Sequence, residues 1–284
     1  MKKHLSTIAL VLVLLVGLSL MLYPTVSDRW NAAHQSRAIA TYSQTVAELD
    51  HTRYDELLAQ AQAYNATLTN RPGRFMMTDE ERAVYEGVLD VSGTGIMGYI
   101  ESPRLDCSLP SYHGTSAGVL QIAVGHIEGS SLPTGGLGTH CVLSGHRGLP
   151  SARLFTSLDK MEVGDTFMLH VLDETLTYEV DQILIVEPQD VSALELDPLA
   201  DLCTLVTCTP YGINSHRLLV RGHRIPNPVE DTTDYVKADR DQTMVVIVAA
   251  ILILLFIAWV ISLIVRRNKK TAVPDQGRHI RRKQ

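Results

Sequence analysis

Three side chains in this chain have the types and the settings that thiol-based acyl transfer requires. Cys208 ends a short apolar, β-forming run at residues 204–208, directly before the turn-forming stretch T-P-Y-G-I-N. Arg217 opens the next β-forming run, and His146 lies about sixty residues upstream of Cys208, in the glycine-flanked loop S-G-H-R-G. A side chain at a strand end is firmly held yet reachable, which suits a nucleophile. Sulfur, imidazole and guanidinium would supply the nucleophile, the general acid and base, and the oxyanion support of one site.

Each of the three has a rival in the sequence. A free cysteine is usually a small buried hydrophobe, as we expect of Cys203 in the same run. Among the 11 histidines, His170 alternates within a strand pattern, and we interpret it as structural. Arg221 shares a strand face with Arg217, because residues two and four apart point the same way. Thr207, beside the nucleophile, is a candidate for orienting the substrate backbone, although strand formation alone would also explain it.

The four cysteines predict neither a disulfide framework nor a metal site. Cys203 and Cys208 are five residues apart and point to opposite faces of a straight strand. Cys107 and Cys141 could pair only if folding brought them together. No C-x-x-C or H-x-x-x-H spacing occurs. We therefore expect free thiols, of which Cys208 is reactive and the others are buried, and we expect no metal and no cofactor.

Two sequence blocks carry a resemblance to a known family. The run T-L-V-T-C, residues 204–208, matches the T-L-x-T-C motif of sortases, the cell-surface transpeptidases of Gram-positive bacteria. The blocks at residues 144–165 and 204–224 resemble class C sortases, which polymerise pilins. The similarity extends from about residue 95 to residue 225. The resemblance implies a mainly β fold built on a closed, eight-stranded, sortase-type β-barrel.

The resemblance also implies roles for the candidate residues. Cys208 would attack the Thr–Gly carbonyl of an LPXTG-like sorting signal, His146 would act as general acid and base, and Arg217 would hold the substrate or the developing oxyanion. A lysine amine of a pilin subunit would resolve the thioacyl enzyme as an isopeptide bond. Three alternatives stay open: a housekeeping sortase with a cell-wall acceptor, a cysteine peptidase resolved by water, and a non-catalytic, membrane-tethered surface module.

The hydrophobic pattern changes to a period of two from residue 95 onward, which is typical of strands. Turn-forming clusters such as P-T-G-G at residues 133–136 separate the runs. Many short strands with polar turns favour a closed barrel or a sandwich. The predicted strands cover residues 96–100, 120–124, 140–143, 166–172, 176–186, 202–208 and 217–221.

The region before the predicted strands has a helical pattern. Residues 36–69 lack Gly and Pro and predict one or two helices. A coiled-coil stalk is the competing interpretation, although sustained heptads are missing. Residues 78–91 open with a capping box, Thr78 and Glu81, and predict a further helix.

The segment between these helices, residues 70–77, is the candidate lid region. Class C sortases often carry a lid here, whose Asp-Pro-aromatic tip plugs the active site. This segment has no such tip. Either Arg74 or Phe75 enters the cleft in its place, or the segment is an ordinary linker between helices.

Basic ends flank an acidic middle. Residues 24–243 carry 15 Lys+Arg against 30 Asp+Glu, whereas the two ends together carry 10 against 1. Residues 5–23 are apolar and follow two lysines without a convincing cleavage site, which favours an uncleaved anchor over a signal peptide. Residues 244–265 are uncharged and precede eight basic residues, so we prefer a membrane helix to a buried core helix. The acidic middle argues against nucleic acid as a partner.

These patterns divide the chain into six regions. They are a signal anchor at residues 1–23, a helical extension with the candidate lid at 24–92, a catalytic barrel at 93–226, a tether at 227–243, a membrane helix at 244–265 and a basic tail at 266–284. The positive-inside rule predicts two spans, cytoplasmic termini and an extracellular catalytic domain. The expected partners are LPXTG-like pilin or surface-protein substrates, a pilin lysine amine and the membrane.

Overall fold

The computed structural model describes residues 2–69 and 71–228 of the chain. These residues form a group of N-terminal helices followed by a closed barrel of eight strands. The second predicted membrane helix, the basic tail and nearly all of the predicted tether lie outside the described residues.

Three helices precede the barrel: α1 (Lys2–Ala47), α2 (His51–Leu68) and α3 (Asp79–Glu86). α1 is one continuous helix of 46 residues that includes Pro24, so it joins the N-terminal apolar run to the predicted helical region. Between α1 and α2, the Asp50 carboxylate accepts a hydrogen bond from the Arg53 backbone N–H (2.7 Å) and caps α2. The region 36–69 is therefore helical apart from this short break, as its composition predicts.

The helices pack on the barrel. Tyr42 of α1 is buried, and its hydroxyl donates to the Met97 carbonyl (3.1 Å) and accepts from the Leu172 backbone N–H (2.8 Å). In α2, the buried Asn65 side chain accepts from the Leu132 N–H (2.7 Å) and donates to the Leu132 carbonyl (3.0 Å). Buried polar groups that are paired in this way fix the helices to the strands and loops. These contacts exclude a free coiled-coil stalk.

An earlier part of α1 contacts the loop that joins the fourth and fifth strands. The Asp28 carboxylate accepts from the Arg153 backbone N–H (2.9 Å) and pairs with the Arg153 guanidinium (3.3 Å). One turn further on, the Asn31 side chain donates to the Ser151 carbonyl (2.7 Å). α1 is therefore in contact with the barrel from residue 28 onward.

The capping box predicted at the start of α3 is present. Thr78 Oγ1 accepts from the Glu81 N–H (3.3 Å), and the Glu81 carboxylate accepts from the Thr78 N–H (2.8 Å). The helix is shorter than predicted, because Gly87 caps it and the chain turns at Leu89, whose φ is 61°. The predicted helix therefore exists, with a C-terminal boundary several residues too late.

Eight strands close into a barrel in the order β1-β2-β3-β4-β7-β8-β6-β5. The strands are β1 (Ile96–Ser102), β2 (Cys107–His113), β3 (Val124–His126), β4 (Thr139–Ser144), β5 (Thr166–Val171), β6 (Glu174–Val186), β7 (Asp201–Thr209) and β8 (His216–Ile225). The mainly β, eight-stranded barrel expected from the sequence is confirmed. β7 lies between a parallel neighbour, β4, and an antiparallel neighbour, β8.

Two parts of the strand prediction differ from the structure. The strand predicted at residues 120–124 is wrong, because Ala117–Ile122 forms a short helix, α4. Its cap is Ser116, whose hydroxyl accepts from the Val119 backbone N–H (3.4 Å). β2 is absent from the prediction, because its sequence C-S-L-P-S-Y-H mixes polar residues with a proline and gives little strand signal.

Apolar side chains gather in two separate places on the barrel. Alternate residues of each strand point inward and form the main core. In β5 and β7 these residues are Phe167, Leu169, Val171, Cys203 and Leu205. A second group on the outer face, here called the outer cluster, comprises Val142, Leu194, Val206 and Leu219. β7 is therefore buried on both faces, which explains its nearly continuous apolar run.

Candidate active site

Three neighbouring strands, β4, β7 and β8, bring the three predicted catalytic residues to one end of the barrel. In the parallel pair β4–β7, Ser144 lies opposite Val206, so His146, two residues further on, comes level with Cys208. In the antiparallel pair β7–β8, Cys208 lies directly opposite Arg217. The three residues therefore follow one another across the sheet in the order His146, Cys208, Arg217.

These positions belong to the outer face of the barrel. Residues two apart on a strand share a face, and Cys208 and Arg217 each lie two residues from a member of the outer cluster, Val206 and Leu219. His146 lies two residues beyond Ser144, the last residue of β4, and is partly exposed. Cys208 is half-buried, so its thiol lies beside the outer cluster and stays within reach of the surface.

Hydrogen bonds hold the His146 loop against β7. The Gly145 N–H donates to the Val206 carbonyl (3.0 Å), and the Phe155 N–H donates to the His146 carbonyl (3.2 Å). A Cβ at Gly145 would come within 2.7 Å of the Phe155 ring, so only glycine fits this position without a shift. Close packing therefore accounts for the glycine that precedes His146.

The Thr207 side chain points away from the outer face. Its side chain is 1% exposed, and its hydroxyl donates to the Gly145 carbonyl (2.7 Å). Because neighbouring residues of a strand alternate, Thr207 points opposite to Cys208. This placement favours a role in holding the His146 loop over the direct substrate contact that the sequence suggests.

The two arginines of β8 have different partners. Arg221 forms two hydrogen bonds with the Asp181 carboxylate, both of 3.0 Å. Arg217 Nη1 donates to two backbone carbonyls, those of Asn214 (3.3 Å) and His216 (3.1 Å). Among the described residues, no carboxylate forms an ion pair with Arg217. Its guanidinium is therefore the better placed of the two to receive a developing negative charge.

His170 lies away from these residues. It belongs to β5, which β8 and β6 separate from β7 in the barrel order. Its two ring nitrogens contact Glu101 Oε2 and Thr175 Oγ1, both at 3.1 Å, and its ring stacks on Tyr99 at 4.4 Å between centroids. These contacts agree with the structural role that its alternation in the strand suggests.

His140 of β4 is a buried residue that the sequence analysis does not single out. Its Nδ1 donates to the Glu195 carbonyl (2.9 Å), and its Nε2 therefore accepts from the Thr204 hydroxyl (2.7 Å). Burial lowers the pKa of His140 to about 4, so the ring is neutral at physiological pH. The ring therefore links the backbone of Glu195, in the segment before β7, to Thr204 of β7. The available signal was a histidine within a buried strand pattern.

None of the four cysteines, all of which lie within the described residues, forms a disulfide. Cys141 and Cys203 are buried and lie directly opposite each other in the β4–β7 pair. Burial raises the pKa of the Cys203 thiol well above its usual range, so it is unreactive. Cys107 is half-buried at the start of β2. The expectation that every cysteine except Cys208 is buried is therefore wrong for Cys107.

The linker between α2 and α3 lies over the outer cluster. Arg74 is 3% exposed, and its guanidinium donates to the carbonyls of Gly129 (3.1 Å) and Leu194 (2.5 Å). Phe75 packs against the outer cluster. A Cβ on Gly129 would come within 2.1 Å of the Arg74 carbonyl oxygen, so the linker backbone is in close contact with the barrel. Both residues singled out in the candidate lid thus contact the barrel, and Phe75 does so at a cluster that includes Val206, two residues before Cys208.

Arg147, which directly follows His146, is a further residue that the sequence analysis does not single out. Its guanidinium pairs with the Asp159 carboxylate (2.5 Å) and donates to Thr209 Oγ1 (3.3 Å). It also lies over the Tyr211 ring, 5.8 Å from the centroid. The Arg147 side chain is 10% exposed. Its contacts join the His146 loop to the end of the strand that carries Cys208.

Within residues 2–69 and 71–228, no group of three or more His, Cys, Asp or Glu side chains is placed to hold a metal ion. The arrangement on β4, β7 and β8 offers a thiol, an imidazole and a guanidinium. These are the groups that acyl transfer through a thioester uses.

Comparisons with known sequences and structures all point to the same family. A model of the Sortase domain matches residues 100–225. Sortase D of Bacillus subtilis (strain 168) is 31% identical over 131 residues, which are 45% of this chain and 63% of that protein. The crystal structure of sortase C1 from Streptococcus agalactiae is 51% identical, with a TM-score of 0.65 over 67% of this chain and 99% of that one. The structure of Streptococcus pneumoniae sortase C is 47% identical, with a TM-score of 0.61 over 67% and 97%.

Proposed function

Because the chain belongs to the sortase family, we propose that it is a class C, pilin-polymerising cysteine transpeptidase. The observation that carries the proposal is the placement of His146, Cys208 and Arg217 at the same end of three neighbouring strands. The similarity to the two streptococcal class C structures supports it, since it extends over 97% or more of their chains.

The first half of the reaction transfers an acyl group to the enzyme. The Cys208 thiolate attacks the threonine carbonyl carbon of the Thr–Gly bond in an LPXTG-like sorting signal, and a carbon–sulfur bond forms. Arg217 donates hydrogen bonds to the oxyanion of the tetrahedral intermediate. Protonated His146 then gives its proton to the glycine nitrogen as the carbon–nitrogen bond breaks. The glycine and the remainder of the signal leave, and the threonine is held as a thioester.

The second half transfers the acyl group to an amine. His146, now neutral, accepts a proton from a lysine amine of a second pilin subunit as that amine attacks the thioester carbonyl. The carbon–sulfur bond breaks, and Cys208 leaves as a thiolate. The product is an isopeptide bond between two subunits, and repetition of the two steps lengthens a pilus.

Membrane anchoring forms part of the proposal. In the part of the chain that the structure describes, α1 is the one helix long and apolar enough to cross a membrane, and the qualifying segment is Ala9–Ala47. We place residues 5–23 in the bilayer and the barrel outside the cell. The second span at residues 244–265 and the cytoplasmic position of both termini rest on the sequence pattern.

We also propose that the linker at residues 71–77 acts as a lid. Phe75 packs on the outer cluster, which includes Val206 two residues before Cys208, and Arg74 donates to the carbonyls of Gly129 and Leu194. A sorting signal that used the outer cluster would have to displace Phe75. The lid would therefore limit access to the thiol until a substrate arrives.

The test uses the full chain in detergent, a peptide with an LPXTG-like signal, and a pilin subunit with an accessible lysine. We expect a covalent peptide–pilin product and a transient thioester, both absent with Cys208→Ala. A product made only with a cell-wall peptide amine would indicate a housekeeping sortase, and release of free acid without transfer would indicate a peptidase. If neither adduct nor product forms, the proposed function is rejected.

A further inference from the structure

The residues on both sides of Cys208 are hydrogen-bonded to the residues on both sides of His146. On one side, the Thr207 hydroxyl donates to the Gly145 carbonyl (2.7 Å). On the other side, the Arg147 guanidinium donates to the Thr209 hydroxyl (3.3 Å). The backbone positions of His146 and Cys208 therefore lie between two contacts that join the His146 loop to β7. In the first contact the His146 loop contributes a backbone carbonyl, that of Gly145. In the second contact it contributes the side chain of Arg147.

We propose that Arg147 and Asp159 form a positioning pair that holds the His146 imidazole at the Cys208 thiol. The inference rests on the proposed function, because it assigns these two residues to the proton transfers described above. Neither residue touches the reacting atoms. Arg147 acts through the loop that carries His146, and Asp159 acts by fixing Arg147.

The surroundings of Arg147 fit this role. Its side chain is 10% exposed, whereas that of Asp159 is 44% exposed. Asp159 belongs to a short 3-10 helix, Leu158–Lys160, which the fully buried Leu158 fastens to the core. The carboxylate therefore has a fixed position from which it orients the guanidinium. A planar guanidinium can contact a carboxylate and a hydroxyl at once, which a lysine ammonium does with less directional control.

Tyr211 adds a contact on the other side of the guanidinium. Its ring lies under Arg147 at 5.8 Å and also rests on Gly148, where a Cβ would come within 2.8 Å of the ring. Three segments thus meet at Arg147: the His146 loop, the 3-10 helix and the loop that follows Cys208. A general acid and base works only within hydrogen-bond reach of its partner, so loosening this junction lowers the rate of proton transfer.

The predicted effect separates turnover from substrate binding. Arg147→Gln and Asp159→Asn each lower kcat of peptide transfer by about 10- to 100-fold, because a misplacement of about 1 Å costs on that order. The KM for the sorting peptide changes by less than about threefold, since the inference assigns neither residue a contact with the peptide. Arg147→Lys retains part of the lost rate.

The matched control is an arginine–aspartate pair of the sheet, Arg221 on β8 and Asp181 on β6, whose two hydrogen bonds are both 3.0 Å. Arg221→Gln and Asp181→Asn remove an ion pair of the same chemistry from a place outside the His146 loop. We expect both control variants to keep kcat within about twofold of the parent enzyme, as for a surface ion pair.

A second readout does not need the sorting reaction. In the full chain in detergent, the rate of Cys208 alkylation by iodoacetamide is followed against pH, by mass spectrometry of the peptide that contains Cys208. A thiol paired with a well-placed imidazole reacts at lower pH than an isolated one. We expect Arg147→Gln and Asp159→Asn to move this profile to higher pH, and the control pair to leave it in place. Thr209→Val, which keeps the ion pair, moves the profile in the same direction by less.

The outcomes distinguish the inference from the proposed function. If the parent enzyme shows no transfer, the proposed function fails, while the alkylation profile still tests the pairing of His146 with Cys208. An unchanged profile in both Arg147→Gln and Asp159→Asn overturns the inference. So does an equal loss of kcat in the Arg221 and Asp181 variants, since that would report a general loss of stability. Thr209→Val serves as the decisive variant if the charge-removing variants do not fold.

Discussion

At the scale of single residues, alternation along β7 separates a reactive thiol from an inert one. Cys203 points into the core, where burial raises the pKa of its thiol. Cys208, five residues later, lies on the outer face between the positions of His146 and Arg217. A two-residue period is therefore enough to place two cysteines of one strand in opposite environments.

Arg217→Lys should separate positive charge from guanidinium geometry. The variant keeps a cation opposite Cys208 but loses the planar fork of donors. We expect kcat of transfer to fall by about 100-fold or more, which is typical for the loss of an oxyanion donor. The free energy of unfolding should stay unchanged. Steady-state transfer kinetics measure the effect. Arg221→Lys, four residues further along β8, is the control. An equal loss of kcat in both variants would contradict the role of Arg217 as the oxyanion donor.

His140 should make the stability of the protein depend on pH. Its pKa is about 4 in the folded state because of burial and about 6.5 when unfolded. Below pH 6.5 the unfolded chain binds a proton that the folded protein does not, so the free energy of unfolding decreases as pH falls. The decrease is complete near pH 4 and amounts to roughly 3 kcal/mol.

Urea unfolding of the full chain in detergent between pH 7.5 and pH 4.5 measures this decrease. His140→Asn should be less stable at pH 7.5 and should lose correspondingly less stability on acidification. His170, which is partly exposed on β5, provides the comparison through His170→Asn. If the His140 variant follows the same pH curve as the parent protein, buried His140 is not the source.

At the scale of elements, the linker between α2 and α3 covers the outer cluster that β4, β7 and β8 form. Phe75 contributes the apolar contact, and Arg74 contributes hydrogen bonds to two loops. An aromatic side chain half-removed from water contributes roughly 1 kcal/mol. That amount holds the linker closed without preventing a substrate from displacing it.

Phe75→Ala should open the linker more often. We expect the alkylation rate of Cys208 to rise about fivefold, the factor that corresponds to about 1 kcal/mol. Met76→Ala is the control, because Met76 is the next residue of the same linker and is 85% exposed. A faster reaction in the Met76 variant, or no change in the Phe75 variant, would show that the linker does not limit access to the thiol.

The sequence predicted the strands that carry the site better than the side-chain contacts that join them. All seven strand predictions rest on local patterns, and six of them correspond to strands of the structure; the placement of Cys208 and Arg217 follows from two short runs. The contacts of Arg147 and His140 join segments 12 to 64 residues apart. Such contacts depend on strand register, which a local pattern does not contain. β2 was missed for a related reason, since its pairing with β1 and β3 stabilises a sequence with little strand propensity of its own.

At the scale of the whole molecule, α1 and the barrel belong to the same compact unit. The Tyr42 hydroxyl is bonded to both β1 and the turn between β5 and β6, at a position that is 1% exposed. Removing that hydroxyl leaves a buried carbonyl and a buried N–H without their partner. The N-terminal helix therefore contributes to the stability of the catalytic domain.

Tyr42→Phe should lower the free energy of unfolding by about 1–3 kcal/mol, the cost of leaving buried polar groups unpaired. Urea unfolding of the full chain in detergent measures the difference. Tyr54→Phe, on the partly exposed face of α2, should cost less. Equal stability of the Tyr42 variant and the parent protein would mean that α1 is not part of the unit that unfolds.

The contacts of α1 with Ser151 and Arg153 also fix the distance, along the α1 axis, between the end of the apolar run and the barrel. The apolar run ends at residue 23, and Asn31 touches the loop that follows His146 eight residues later, which is about 12 Å along a helix. Under the proposed anchoring, with residues 5–23 in the lipid, the loop at Ser151 lies about 12 Å along the helix axis from the end of the apolar run. The pilin substrates proposed above would then have to present their cleavage sites close to the membrane surface.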